Sequence, residues 1–283
     1  MFFLSRCSVD ASSAVVTVLS LGLILSTVAC RTLPGSASID LAGAEHAYAQ
    51  SGSTGPIVVF ESGLGDGKES WTAVFAATGE FAHAFAYDRA GYGGSASSAA
   101  ARDGETIVEE LRALLASLEL PPPYLLVGHS IGGHFVELYA RMYPSEVAGV
   151  VFVDARHAEF SARCIREKAE RCDVPLLAKL LMPSAAKAEL AASPTTEESL
   201  RDAPEFPAIP VRVLTAARRP QNMPNLRRAW AEAQADLAQL SPLATQTICD
   251  ECGHYVHRDR PDIVVNAIRS IADELERRRS GNE

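Results

Sequence analysis

The sequence predicts an α/β fold in which a mostly parallel sheet is covered by helices on both faces. Short runs rich in β-branched and aromatic residues alternate with amphipathic helical patterns along most of the chain. Several strand runs are apolar throughout, which is typical of strands buried on both faces. With 283 residues, 47% of them hydrophobic, the chain has enough material for one large domain of this kind.

The strands and helices are assigned from apolar content and spacing. Runs of Val, Ile and aromatic residues predict strands, and apolar residues that recur every three or four positions predict helices. The predicted strands are 57–61, 81–87, 125–127, 147–153, 211–215 and 245–248, and the predicted helices are 71–78, 105–118, 131–143, 226–240 and 261–275. Pro144 stops the third of these helices, because proline cannot continue one.

Residues 155–207 break this alternation. The segment has no strand pattern, and it mixes short helical pieces with several prolines and two cysteines. We interpret it as a small helical cap inserted into a single domain that spans residues 31–283.

Residues 1–30 differ from the rest and are expected to direct the chain to a membrane. Ala11–Ala29 is uncharged and rich in Val, Leu and Ile, with Arg6 before it and Arg31 after it. A basic start, an apolar segment and a small-residue exit are typical of a secretory signal peptide. Cleavage before Cys30, lipidation of Cys30 and an uncleaved anchor are three alternatives. The expected location is periplasmic, secreted or lipid-anchored at the cell envelope, with membrane contact only through this segment or a lipid on Cys30.

Cysteine spacing agrees with export. Beyond Cys30 the cysteines form two close pairs, Cys164 with Cys172 and Cys249 with Cys252. Two local disulfides are the simplest pairing in an oxidising compartment, although four cysteines can pair in three ways. The second pair also begins a Cys-x-x-Cys-x-His-x-x-His run whose spacing suits zinc. We expect a disulfide there, since the whole run lies on one predicted loop.

The pentapeptide Gly128-His129-Ser130-Ile131-Gly132 follows an apolar strand and precedes a helix. It has the G-x-S-x-G pattern, in which a serine lies on a sharp strand-to-helix turn. Such a turn strains the backbone, and glycine on each side avoids collisions with the neighbouring strand and helix. Ser130 is therefore the candidate nucleophile, with its hydroxyl at the N-terminal end of a helix. His129 is assigned no chemistry.

A serine hydroxyl needs a base to take its proton. The candidate base is His254, in the predicted loop between the last strand and the last helix. His257 competes with it, but it lies near the start of the final helix and is expected to contact the surface or the cap.

Backbone N–H groups that bind a negatively charged oxygen are the next requirement. The predicted donors are Ile131, directly after the candidate nucleophile, and Leu64, within the glycine-rich loop 62–65. Asp88 and Arg89, at another strand end, are expected to pair structurally beneath the site.

Together these motifs resemble the α/β-hydrolase superfamily, and most closely its single-domain, capped esterase and peptidase-like branch. The resemblance rests on Glu61–Gly65, Tyr87–Gly93, Gly128–Gly132 and Gly253-His254 ahead of Pro261. It implies the α/β-hydrolase fold, with an eight-stranded, mostly parallel sheet and an active site at the strand ends under the cap.

The sequence departs from the resembled pattern at the acid. Most members carry this carboxylate after the strand that follows the cap, but the corresponding segment, Leu214–Pro220, contains neither Asp nor Glu. Asp154 is the candidate instead, because some members place their acid at the end of the strand that follows the nucleophile helix. The chain order Ser130, Asp154, His254 agrees with the family. Alternatively, Asp154 only caps the loop into the insertion.

The predicted function is a serine hydrolase that cleaves a carboxylic ester through an acyl-enzyme. An amidase or aminopeptidase with the same residues is one alternative, and a non-catalytic ligand-binding protein on the same fold is another. Hydrolysis of epoxides or haloalkanes is disfavoured, because those reactions use an Asp at the position of Ser130. The net charge of −9 argues against nucleic acid as a partner, so the expected partner is a small ester or amide. Neither a cofactor nor a metal is expected, and no oligomeric state is predicted.

Overall fold

The computed structural model describes residues 32–280, so the predicted signal segment, residues 1–30, lies outside the described residues. The strands are β1 (Ser36–Leu41), β2 (Ala44–Ser51), β3 (Ile57–Glu61), β4 (His83–Tyr87), β5 (Tyr124–His129), β6 (Val147–Val153), β7 (Val211–Ala216) and β8 (Ala244–Cys249). They form one eight-stranded sheet in the order β1-β2-β4-β3-β5-β6-β7-β8. Strand β2 is antiparallel to both of its neighbours, β1 and β4, and the pairs from β4 to β8 are all parallel. The predicted fold class is confirmed.

Helices cover both faces of this sheet. They are α1 (Thr72–Gly79), α2 (Gly104–Ser117), α3 (Gly132–Met142), α4 (Phe160–Arg166), α5 (Leu176–Leu181), α6 (Ser184–Asp202), α7 (Pro224–Leu237), α8 (Val256–Asp259) and α9 (Pro261–Ser280). Helices α1, α8 and α9 contribute to the core on one face, and α2, α3 and α7 to the core on the other. Adjacent residues of β3 show the alternation: Val58 and Phe60 belong to the first core and Val59 to the second. Continuous apolar strands are therefore stable here, because each face is buried.

The sheet order places a crevice between β3 and β5. From β3 the chain moves to β4 on one side, and after α2 it returns to β5 on the other side. In such sheets the loops at the carboxyl ends of the two strands diverge, and ligands bind between them. Glu61 and Gly128 are paired at these ends, so the loops that follow them begin side by side.

The segment between β6 and β7 contains α4, α5 and α6 and no strand, in agreement with the absence of a strand pattern in its sequence. Disulfides join Cys164 to Cys172 and Cys249 to Cys252, the two local bridges expected from the spacing. Both bridges indicate an oxidising environment. Within residues 32–280, no helix is long and apolar enough to span a membrane.

The sequence patterns miss the hairpin formed by β1 and β2. Both strands lie at or near the edge of the sheet and keep many side chains exposed or half-exposed, so they carry no apolar run. The predicted start of the next strand, Phe81, is instead part of a turn in which its N–H donates to Thr78. The strand therefore begins two residues later, at His83.

Candidate active site

Ser130 lies on the sharp turn between β5 and α3. Its φ of +53° is in the left-handed region, which is strained for a residue with a side chain. Glycine is required beside it: a Cβ on Gly132 would lie 2.5 Å from the carbonyl oxygen of Glu61 and 2.7 Å from that of Ser62. The loop after β3 is therefore packed directly against the start of α3.

A chain of hydrogen bonds leads from this serine to a buried carboxylate. Ser130 Oγ is 3.0 Å from His254 Nε2, and His254 Nδ1 is 2.6 Å from Asp154 Oδ2. The structure thus brings together the three residues that the sequence assigned to nucleophile, base and acid. With the proton on Nδ1, the Nε2 atom is free to accept a proton from the serine.

Asp154 follows β6 and is fully buried. Its Oδ1 accepts hydrogen bonds from the amide of Ala216, at 3.1 Å, and from Trp230 Nε1, at 2.9 Å. Burial alone would raise the pKa of this carboxyl group, but the hydrogen bond with His254 and the charge of Arg219 hold the pKa below its ordinary value. Asp154 is therefore ionised at neutral pH and holds His254 by a charge-assisted hydrogen bond.

The loop after β7 contributes a cation to this carboxylate. Arg219 binds Asp154 Oδ2 and stacks on Trp230, with its guanidinium carbon 4.3 Å from the ring centre. Sequence reasoning noted only that this loop lacks an acid. The signal that could have revealed the pairing is the Arg218-Arg219 dipeptide, since the carboxyl ends of β6 and β7 are neighbours in the sheet.

Three contacts fix the loop that carries His254. The Cys249–Cys252 disulfide closes its start, and the amide of Arg218 donates to the carbonyl oxygen of Cys252 at 3.0 Å. The Nε2 atom of His129 lies 3.0 Å from the carbonyl oxygen of His254 and donates to it. His129, to which the sequence assigned no chemistry, thus connects the nucleophile turn to the loop of the base.

His257 does not contact the surface or the cap as expected. Helix α8 begins one residue before it and turns its side chain into the interior, where it is fully buried. Its ring lies 4.5 Å from that of Trp71 and 4.6 Å from that of His129. Burial is the main reason that its pKa falls to about 3, so His257 is a neutral packing residue at neutral pH.

The predicted oxyanion donors, Leu64 and Ile131, lie on the two loops that meet at the crevice. Within residues 32–280, neither amide donates a hydrogen bond to another protein group. Both side chains pack into one apolar cluster with Ile107 and Phe135, which keeps the two backbone segments together. The amides are therefore available to a ligand oxygen.

Arg89 holds the loop that carries Leu64. The buried guanidinium donates from Nη1 to the carbonyl oxygen of Ser62, at 2.7 Å, and from Nη2 to that of Gly63, at 3.0 Å. It also pairs with the carboxylates of Glu61 and Glu189. Five N–H donors in one plane suit this combination of acceptors, which a lysine could not reproduce.

Asp88 is buried beside Arg89 but binds other partners. Its Oδ2 is 2.7 Å from Lys68 Nζ, and its Oδ1 accepts from the amide of Lys68 at 2.8 Å. Asp88 and Arg89 are thus structural pairs as predicted, although they do not pair with each other.

Gly132 gives the first testable prediction. Gly132→Ala would push the loop 62–65 away from α3, because the nearest contacts of the new Cβ are backbone atoms. A displacement of about 1 Å can reduce turnover about 100-fold, so we expect a fall of this order in kcat. Gly149→Ala is the control, since its Cβ would meet mainly the side chain of Ile271 in the core, at 2.7 Å, and the carbonyl oxygen of Pro210 at 3.2 Å. It should lower the free energy of unfolding by about 1–3 kcal/mol and leave kcat near the wild-type value; equal losses in both variants would contradict the prediction.

Comparisons with known proteins agree with this architecture. Residues 56–167 match a family model described as the alpha/beta hydrolase fold. The uncharacterized protein YqjL of Bacillus subtilis is 28% identical over 80% of this chain and 87% of its own length. A thermophilic esterase from Thermogutta terrifontis superposes with a TM-score of 0.63 at 20% identity, over 85% of this chain and 98% of the esterase. A haloalkane dehalogenase variant, DbeA-M1 from Bradyrhizobium elkanii, gives 0.64 at 14% identity, over 88% and 99%.

Proposed function

We propose that this chain, which has the α/β-hydrolase fold, is a serine hydrolase of the α/β-hydrolase superfamily that cleaves carboxylic esters through an acyl-enzyme. The observation that carries the proposal is the continuous path from Ser130 Oγ through His254 to the carboxylate of Asp154. The fold alone does not select this reaction, because an esterase and a haloalkane dehalogenase share it. A serine on the turn between β5 and α3 favours acyl transfer.

In the first half of the reaction, Ser130 Oγ attacks the ester carbonyl carbon while His254 Nε2 takes the hydroxyl proton. The carbonyl π electrons move to the oxygen, which becomes the oxyanion. When this tetrahedral intermediate collapses, the bond to the alcohol oxygen breaks, and His254 returns the proton to that oxygen. Asp154 holds Nδ1–H throughout and stabilises the imidazolium.

In the second half, water replaces the alcohol. His254 takes a proton from a water molecule while the water oxygen attacks the acyl carbon. When the second tetrahedral intermediate collapses, the bond to Ser130 Oγ breaks, His254 protonates this oxygen, and the carboxylic acid is released. The amides of Leu64 and Ile131 stabilise the oxyanion in both halves. Each such donor contributes about 10²–10³ in kcat in enzymes where it has been removed.

The inserted segment 155–207 is proposed as the cap of this site, and residues 1–30 as the export signal. The two disulfides support export, since such bonds persist in oxidising compartments. The assignment of this segment as the cap is supported by a contact of α6, in which Glu189 binds Arg89 next to the loop 62–65.

Labelling with a fluorophosphonate probe tests the proposal. The probe phosphonylates only a serine that is activated by its neighbours, so native protein should be labelled at Ser130, as mapped by peptide mass spectrometry. Ser130→Ala and heat-denatured wild-type protein are the controls and should not react. Native protein that stays unlabelled would favour the non-catalytic ligand-binding alternative.

A substrate panel then separates the ester proposal from its amidase alternative. p-Nitrophenyl esters and p-nitroanilides that carry the same acyl groups, both alkanoyl chains of increasing length and aminoacyl groups, would be compared by kcat/KM. Higher values for the esters at every matched acyl group support the proposal, and the reverse order would replace it by the amidase.

A further inference from the structure

Helix α6 of the inserted segment is held on the domain by a largely polar face. Its buried residues recur at helical spacing and are Ala186, Glu189, Ser193, Thr196, Glu197 and Leu200. Two of them, Ala186 and Leu200, are apolar, so apolar burial contributes little to holding this helix. Its position must instead depend on directional contacts, which are sensitive to geometry.

The polar contacts of this face reach the segments that follow β4 and β6, at the carboxyl end of the sheet. Thr196 Oγ1 accepts from the amide of Gly104, at 2.8 Å. Glu197 accepts from Arg156 Nε, at 3.3 Å, and from Ser161 Oγ, at 2.5 Å. None of these three contacts involves the loop that carries Leu64.

The contact of Glu189 does involve that loop. Its Oε1 accepts from Arg89 Nε at 2.8 Å, and its Oε2 accepts from Arg89 Nη2 at 2.9 Å. The same Nη2 atom donates to the carbonyl oxygen of Gly63, and Nη1 donates to that of Ser62. One rigid guanidinium therefore joins the inserted helix to the loop, and it cannot turn away from the helix without moving its donors to the loop.

Stability is a weak explanation for this pair. Arg89 is 3% exposed and Glu189 is 1% exposed. Removing both charges from water costs several kcal/mol per ion, which offsets most of their attraction. A buried, bidentate ion pair is better suited to fixing an orientation, because the interaction weakens steeply when its geometry changes.

We propose that Glu189 is a positioning residue. Through its contact with Arg89, the position of α6 on the domain sets the position of the loop 62–65 and of the Leu64 amide. The inference rests on the proposed function, because it assigns that amide to the oxyanion. The inserted segment then contributes to stabilisation of the transition state without touching the reacting atoms.

Glu189→Gln tests the proposal with little change in volume. An NH₂ group replaces one carboxylate oxygen and cannot accept from Arg89. We expect kcat to fall about 10- to 100-fold, as for a misplaced catalytic group, with a smaller change in KM. We expect the Ki of a boronic acid to rise by a similar factor. Its adduct with Ser130 places an oxygen at the oxyanion position, so Ki reports the donors directly.

Glu197→Gln is the matched control. It breaks another Arg–Glu contact of the same helix, which is partly buried and lies away from the loop 62–65, and it should keep wild-type kcat and Ki. Tyr92→Phe is a milder second variant if Glu189→Gln does not fold. It removes a hydroxyl that donates to Glu189 at 2.7 Å and accepts from the amide of Gly65 at 3.4 Å, so it weakens the same connection between α6 and the loop and should give a smaller loss in the same direction.

The outcomes separate the two proposals. Wild-type kcat and Ki in folded Glu189→Gln, or equal losses in Glu197→Gln, would overturn the positioning role and leave the hydrolase intact. If Glu189→Gln does not fold, Tyr92→Phe with wild-type kcat and Ki would overturn it as well. Wild-type protein that is neither labelled at Ser130 nor active on any ester or amide would remove the proposed function itself.

Discussion

Asp154→Asn is expected to lower kcat about 10⁴-fold at neutral pH, which corresponds to about 5.5 kcal/mol of transition-state stabilisation. The carboxylate accepts from four donors: His254, Trp230, Ala216 and Arg219. An asparagine has one acceptor oxygen, and its NH₂ group cannot accept from His254 Nδ1–H. The imidazole would then adopt the wrong tautomer for taking the proton of Ser130. Steady-state kinetics on a p-nitrophenyl ester measures the loss.

Asparagine is also the substitution least disturbing to the backbone. The φ of Asp154 is +43°, in a region that asparagine tolerates better than most residues. Arg219→Gln is the control, because Asp154→Asn also leaves Arg219 without its carboxylate. It should remain far more active than Asp154→Asn, and both variants should be checked by thermal unfolding. Near-normal turnover in folded Asp154→Asn would show that the acid lies elsewhere.

The free energy of unfolding is expected to fall steeply as the pH drops from about 6.5 towards 4. Three histidines, His129, His134 and His257, are buried. Burial is the main cause that lowers their pKa, to about 3 for His134 and His257 and well below the ordinary value for His129. In this pH range the unfolded chain binds protons that the native protein does not, so acid favours unfolding. At neutral pH the effect is absent.

The magnitude is large compared with ordinary protein stability. Each buried neutral histidine contributes a slope of up to about 1.4 kcal/mol per pH unit below its unfolded pKa. His134 and His257, whose pKa falls to about 3, would together remove about 4 kcal/mol by pH 5, out of a typical 5–15 kcal/mol, and His129 acts in the same direction. Glu61 acts in the opposite direction, since burial raises its pKa and protonation therefore favours the native state. Urea unfolding followed by circular dichroism at several pH values measures the slope.

Two variants test whether the buried histidines cause this pH dependence of the free energy of unfolding. His257→Leu and His134→Leu each remove a titrating group and should make the pH dependence shallower. Val136→Ala is the control on the same helix as His134; it creates a small cavity and should lower the stability by a similar amount at every pH. Wild-type slopes in both histidine variants would contradict the assignment.

The central part of the fold could be predicted from the sequence because its strands are buried on both faces. Val147–Val153 was predicted with the boundaries that the structure shows, since every residue is apolar. The edge hairpin β1–β2 could not be predicted, for the opposite reason. Most of its side chains are exposed or half-exposed, so they need not be apolar and form no apolar run. The positions of Ser130, His254 and Asp154 were likewise predictable, because each follows a predicted strand at the same edge of the sheet.

Long-range polar partners could not be predicted. Arg89 meets Glu189 across a separation of 100 residues, and Arg219 meets Asp154 across 65. A charged residue in a loop has no periodic pattern that names its partner. The burial of His257 was also missed, because the short helix α8 that turns it inward has no sequence signal of its own.

The neighbouring ends of β6 and β7 have a consequence for how related chains should be compared. The amide of Ala216, at the end of β7, donates to the carboxylate of Asp154, which directly follows β6, so both strand ends border the same imidazole. A carboxylate supplied from either strand could serve that histidine, with a compensating arginine on the other. A related chain that has an arginine after β7, where most members have the acid, should therefore not be classed as inactive on that ground. The neighbouring strand has to be inspected first.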